Sequence, residues 1–268
     1  MALSIIVCLK QVADPEAPVS GYKVDTEARR VMPPPGTPPV INPDDENALE
    51  AALRIKDTHE SKVTVISLGR NLSKAVLQKS LAVGADELIF LIDDVFDDLD
   101  SYATAFVLST AIKKLGEYHF IFTGRMASDS NAGQVGSGIA ELLGMPCVTT
   151  ARKVELHNGR VQVERTTPDG YEVIEALLPV LITVSSELGD LRIASLPQIM
   201  AVRKKPVTTL KSNDLGIDLP QLSQLRRNNL LELCPPPRRE ASCEIVAGET
   251  GQEAGANLAL KLKEAGII

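Results

Sequence analysis

Four short apolar runs, none of them alternating, most constrain what this chain can fold into. They are Ser4–Leu9 (SIIVCL), Val63–Ser67 (VTVIS), Leu88–Ile92 (LIFLI) and His119–Phe122 (HFIF). An exposed strand would alternate apolar with polar residues, so unbroken runs of this length predict strands buried on both faces. Helical patterns lie between them. Asn42-Pro43-Asp44 supplies a cap-like residue, a proline and first-turn acids, and Leu49, Ala52 and Leu53 then share one face. A second helix is expected from an Asn71 cap to Gly84, a third from Asp100 to Gly116, and a fourth ends at Gly144. Strand and helix in strict alternation predict an α/β fold: a parallel sheet, helices on both faces, right-handed crossovers. In such a sheet a ligand sits beyond the carboxyl ends of the strands, at a topological switch point.

The pattern changes after Thr150. Alternating apolar and polar residues flank Asn158-Gly159 and Asp169-Gly170, which are hairpin signals, so an antiparallel extension is expected before a buried strand at Val180–Val184. From Glu187 onward periodicity is poor and proline frequent, up to a final helix at Glu253–Ala265. The expected organisation is an α/β domain over 1–190 and a long C-terminal arm over 191–268 that needs another surface to lie on. The proline-rich stretch between the first strand and Asn42 reads either as an ordered, ligand-gated loop or as a plain linker.

Composition narrows the function classes. Aromatic residues make up 3% and the net charge is −7, so neither stacking platforms nor a positive field favour nucleic acid. The four cysteines form no CxxC pair, and the three histidines cluster with no carboxylate at metal-ligand spacing. Cys8 and Cys147 lie in strand-like runs and are expected to be buried, inert thiols. The opening residues carry no basic region and too short an apolar run for a signal peptide or a membrane span, so a protein without membrane insertion is expected, in the cytoplasm or, if a presequence was removed, in a matrix-like compartment.

Two stretches are rich in polar groups. GRMASDSNAGQVGSG, from Gly124 to Gly138, follows the fourth strand and opens the fourth helix, where free amide groups can meet an anion. Glycines there serve helix packing about as often as phosphate binding, and Asp129 alone reads more readily as a turn or cap residue. The second stretch, Asp93–Ala105, holds five aspartates without calcium-loop spacing, and is expected to be a solvated acidic loop with Asp100 or Ser101 capping the third helix. No nucleophile elbow, Ser/His/Asp set or paired-carboxylate signature stands out, which favours nucleotide binding over side-chain acid–base chemistry.

Six blocks in order, IIVCLKQVAD, INPDDENALEAALRIKD, VTVISLGR, SLAVGADE, GRMASDSNAGQVGSGIAELLGMPCVT and LPQIMAVRKKP, resemble the beta subunit of electron transfer flavoproteins. The resemblance spans nearly the whole chain. It implies a Rossmann-like, adenine-nucleotide-hydrolase-like domain paired with an alpha subunit that holds an electron-transferring FAD. The beta pocket of the ordinary members holds AMP, and that of electron-bifurcating members holds a second FAD that meets NADH. Carried onto this chain, the pocket would use Cys8 and Leu9, then Asn42, Pro43 and Asp44, then Leu68 and Gly69. Its largest part would be Gly124, Arg125, Met126, Ala127, Ser128, Asp129, Ser130, Asn131, Ala132, Gly133, Gln134 and Val135. Backbone amides from Gly133 to Gly136 would meet a pyrophosphate.

The subgroup is implied by two segments. Gly133-Gln134-Val135 stands where AMP-type members read Asn-Gln-Thr, and Asp100, Ser101, Ala103 and Thr104 match the bifurcating ADTYATS segment. Asp129-Ser130-Asn131 in place of Asp-Gly-Asp, and DDVFDDLD in place of DRAFAGAD, depart from that type. The implied function is to accept electrons from NADH and divide them between a low-potential acceptor such as ferredoxin and an acyl-CoA-type dehydrogenase. A subunit with structural AMP is the alternative. Leu188 and Arg192 fall in the segment matching the family's docking loop, so Leu188 is expected as an exposed apolar anchor for the dehydrogenase. A stand-alone sensor like the universal stress proteins would leave the C-terminal arm nothing to cover. An ATP-pyrophosphatase would need a Ser-Gly-Gly-x-Asp-Ser loop where KQVADPE stands.

Overall fold

The computed structural model describes residues 2–235 and 243–268. The strands in chain order are β1 (Leu3–Cys8), β2 (Gln11–Val12), β3 (Lys23–Asp25), β4 (Arg30–Met32), β5 (Val40–Ile41), β6 (Ser61–Gly69) and β7 (Glu87–Ile92). They continue with β8 (Phe120–Gly124), β9 (Cys147–His157), β10 (Arg160–Thr167), β11 (Gly170–Leu177), β12 (Val180–Val184) and β13 (Val207–Leu210). The helices are α1 (Pro43–Thr58), α2 (Lys74–Val83), α3 (Ser101–Leu115), α4 (Val135–Leu143), α5 (Leu196–Ala201), α6 (Ser212–Leu215), α7 (Leu219–Leu225) and α8 (Gly251–Glu264).

Nine strands form one sheet in the order β11-β10-β9-β12-β8-β1-β6-β7-β13. Pairing is parallel from β9 to β13 and antiparallel only in the β9-β10-β11 extension. The unbroken apolar runs are explained by two cores. Ile5 and Val7 of β1 face Leu49 and Leu53 of α1 and Leu77 and Leu81 of α2. Ile6 and Cys8, their neighbours in sequence, point to the other face, against Val107 and Ile112 of α3 and Ile139 of α4. Strand periodicity sends alternate residues to opposite faces, and both faces here are dry. Asn158 and Gly159 take φ of 50° and 77°, the left-handed pair that a two-residue hairpin turn needs.

The described residues up to Glu232 form one compact unit, and those from Leu233 onward a second. Residues 191–232, read from sequence as part of the arm, thus join the first unit: β13 pairs with β7, and Leu215, Ile217 and Leu222 enter the α3/α4 core. The stretch read as irregular after Glu187 contains α5, β13, α6 and α7. Lys205, in the segment before β13, donates its Nζ to the carbonyls of Leu81 (2.8 Å) and Ala85 (2.6 Å) at the end of α2. Helix α2 starts later than the Asn71 cap predicts, since Gln11 Oε1 accepts the Ser73 N–H at 2.6 Å and closes that end. Cys147, expected inside, is exposed at the start of β9. In the second unit, Thr250 caps α8 by accepting the Glu253 N–H. No helix among the described residues is long and apolar enough to cross a membrane.

Candidate nucleotide site

From β1 the sheet grows to one side through β6 and β7, and to the other through β8 and β12, so the switch point lies between β1 and β8. A cavity of about 580 Å3 opens beyond these strand tips. It falls in the size range of small-molecule sites, roughly 300–1,000 Å3. Cys8 ends β1 on its floor with Leu9 just after it, and Leu68 and Gly69 end β6 beside them. Gly124, Arg125, Met126, Ala127, Asp129, Ser130, Ala132, Gly133 and Gln134 form one wall, which continues into Val135 and Gly136 of α4. Asp100, Ser101 and Thr104 at the start of α3 form the facing wall.

Helix α4 carries no side-chain cap, because Gln134 makes no capping bond and its first amide groups stay available to an anion. A Cβ at Gly136 would lie 2.6 Å from Thr123 Oγ1 and 2.8 Å from Thr183 Cγ2, so only glycine lets α4 lie this close to β8 and β12. The glycine therefore serves packing and lines the cavity at once. Arg125 holds its guanidinium 3.9 Å from Asp44, beyond hydrogen-bond reach, whereas Lys10 is paired with Asp129 at 2.7 Å.

Six expected pocket residues lie outside the cavity lining, and most of them hold the wall in place. Asn42 does not cap α1 with its side chain; its Nδ2 donates to the Met126 carbonyl (2.8 Å) and its Oδ1 accepts the Ser128 N–H (2.9 Å). Pro43 is the first residue of α1. Asp44 accepts the Met126 N–H at 3.2 Å, and burial raises its carboxyl despite that bond and Arg125. Asn131 takes a left-handed φ of 50° in the turn. Ala103 is fully buried, with its N–H held by Asp100 Oδ1 at 2.8 Å.

The acidic loop keeps Asp94 and Asp98 exposed, as expected, and is also a gathering point. Asp100 caps α3 as predicted, and its other oxygen accepts the N–H groups of Arg227 (2.6 Å) and Asn228 (2.9 Å). Arg30 and Arg70 converge on Asp97 at 2.7 and 3.1 Å, Arg70 also reaches Asp94 at 2.9 Å, and Asp93 accepts from Ser212 at 2.7 Å. Asp97, Asp98, Leu99 and Asn228 also line the cavity.

The sequence reading also passed over Asp45, which is buried and lines the cavity between β1 and β8. Its Oδ2 accepts the Lys10 N–H at 2.7 Å and its Oδ1 the Gly124 N–H at 2.9 Å. Burial pushes its carboxyl up to about 7 despite these two bonds. Its position among first-turn acids hid it. Burial, with the charge of Asp45 beside it, pushes the Cys8 thiol up to about 12, so Cys8 lines the floor as an unreactive thiol.

Leu188 and Arg192 lie away from the cavity, and the expectation of an exposed Leu188 is corrected. Leu188 is 6% exposed and packs into the α1/α2 core, while its carbonyl accepts from Arg54 at 3.0 Å. Arg192 is clamped by Glu50 (2.9 Å) and Asp57 (2.7 Å) of α1. The exposed apolar residues of this segment are Ile193, Leu196, Ile199 and Met200.

The family model described as the electron transfer flavoprotein domain matches residues 36–215. A relative from Thermoanaerobacterium thermosaccharolyticum named electron transfer flavoprotein subunit beta is 40% identical over 267 residues, covering 99% of this chain and all of its own. A relative from Acetobacterium woodii named caffeyl-CoA reductase-Etf complex subunit CarD is 37% identical, with 99% of this chain and all of its own covered. Protein FixA of Azorhizobium caulinodans is 34% identical over 81% of this chain and 78% of its own. On this evidence the chain belongs to the electron transfer flavoprotein family, among its beta subunits.

Proposed function

We propose that the cavity holds FAD and that the chain, paired with an alpha subunit, takes part in flavin-based electron bifurcation. The observation that carries this reading is the reach of the cavity, from the uncapped start of α4 across the β1 and β8 tips to Asp100, Ser101 and Thr104 on α3. FAD phosphates would meet the amides of Gly133 to Gly136, with Arg125 as the nearby cation and the close packing of Gly136 keeping that helix end accessible. When bound, FAD supplies hydride acceptance from NADH and separate one-electron transfer to ferredoxin and to the alpha-subunit FAD. The protein's part is to orient the nucleotide between two fixed helix starts and to limit water at the strand tips.

Electrons would leave toward an acyl-CoA-type dehydrogenase. The relative named for a caffeyl-CoA reductase complex supports that class of partner. The exposed patch of Ile193, Leu196, Ile199 and Met200 would dock it, held at its root by Arg192. The second unit, with α8 exposing Leu258 and Leu260, would give the alpha subunit its surface. We place the heterodimer in the cytoplasm.

A second reading has its own observation. The α3 wall carries Asp97, Asp98 and Asp100, and Arg70 is committed to Asp94 and Asp97, so this end is poor in groups for a second phosphate-bearing ligand. That favours AMP in the cavity and a non-bifurcating subunit. Nucleotide analysis of the purified heterodimer separates the two: two FAD support the first reading, one FAD and one AMP the second.

A further inference from the structure

β1 and β8 pair only as far as Val7 and Phe122. Beyond that the chains part to form the cavity, and the N–H groups of Lys10 and Gly124 face the gap. Asp45 takes one on each carboxylate oxygen, at 2.7 and 2.9 Å. The fit is tight: a Cβ at Gly124 would collide with Asp45 Oδ1 and lie 2.7 Å from the backbone carbon of Asp44. We propose that Asp45 is a positioning residue for the bound nucleotide, its charged carboxylate bridging the β1 and β8 tips and so setting the shape of the cavity floor.

A buried carboxylate is costly, and this one has backbone donors as partners, not a lysine or arginine. A neutral side chain would be cheaper there. What only a carboxylate offers is two acceptor oxygens for two donors; asparagine offers one, and turns an NH2 toward the other. A protonated Asp45 likewise presents a hydroxyl to one N–H. Its carboxyl is pushed up to about 7, so this change falls near neutral pH. The groups facing it are Cys8 on β1, whose thiol does not titrate there, Lys10 paired with Asp129, Asp44 on α1, and Arg125 after β8.

The inference rests on reading the cavity as a nucleotide site. The test uses the heterodimer purified with its own nucleotide, FAD or AMP, and follows release into nucleotide-free buffer across pH. Wild type is expected to release faster as pH falls through about 7. One unsatisfied buried donor corresponds to roughly a five- to 150-fold change, so Asp45→Asn is expected to release that much faster at high pH, without the pH step. Equal rates in the two proteins, or a pH step that survives in Asp45→Asn, overturn the proposal. If the variant does not fold, a wild-type release rate that stays flat through neutral pH overturns it. A wild-type heterodimer without nucleotide contradicts the site reading itself, a different result from a filled cavity indifferent to Asp45.

Discussion

Two helix starts face each other across the cavity, and they are built in opposite ways. The start of α3 is saturated: Asp100 caps it, and the aspartates before it gather Arg30, Arg70, Arg226 and Ser212. The start of α4 has no cap and no carboxylate in its first turn. The first is an anionic, self-satisfied wall, and the second is a donor-rich end waiting for an anion. A ligand with a phosphate at one end and a neutral ring at the other would be oriented by this difference alone.

The contrast can be broken most strongly at α4. Gly136→Ala would push the helix off Thr123 and Thr183, destabilising the fold by about 1–3 kcal/mol in denaturant titration and emptying the cavity of nucleotide. Arg125→Ala should leave the fold intact and weaken nucleotide binding roughly ten- to 100-fold, the loss of one charge-assisted contact, as measured by calorimetric titration. Asp100→Ala, on the other wall, should cost about 1 kcal/mol of stability through the lost α3 cap, with a smaller effect on binding than Arg125→Ala. A larger binding loss from Asp100→Ala would reverse the orientation inferred here. Lys10→Ala breaks an exposed ion pair and should change stability by less than about 1 kcal/mol.

Acid sharpens the same contrast. Hydrogen bonds from Arg30 hold the Asp97 carboxyl below its ordinary range. Burial raises Asp100, but the N–H groups of Ala103, Arg227 and Asn228 outweigh it and lower that carboxyl too. The stability these groups add is present above the ordinary carboxylate range and is lost as pH falls through their lowered values. Hydrogen exchange should therefore show the α3 wall opening only below the ordinary carboxylate range, well after the Lys10 and Gly124 tips respond near pH 7.

Much of the frame was legible because burial on both faces leaves a plain mark, the unbroken runs that became β1, β6, β7 and β8. The wall from Gly124 to Gly136 was legible from its place between a strand and a helix. What escaped depends on partners distant in the chain. Asp45 looked like any first-turn acid until β1 and β8 brought two N–H groups to it. The arginines gathered on the acidic loop did not show, because they lie as far off as positions 30 and 226. β13 is four residues long and exists by pairing with β7. Leu188 was placed by its neighbours in sequence, and its direction was set by the core under α1.

The proposed function puts FAD in the cavity between these two walls. The most direct measurement is the flavin and nucleotide content of the heterodimer purified with its alpha subunit. Two FAD per heterodimer are expected, one of them lost in Gly136→Ala. One FAD and one AMP, or one FAD with nothing in the beta cavity, would contradict it.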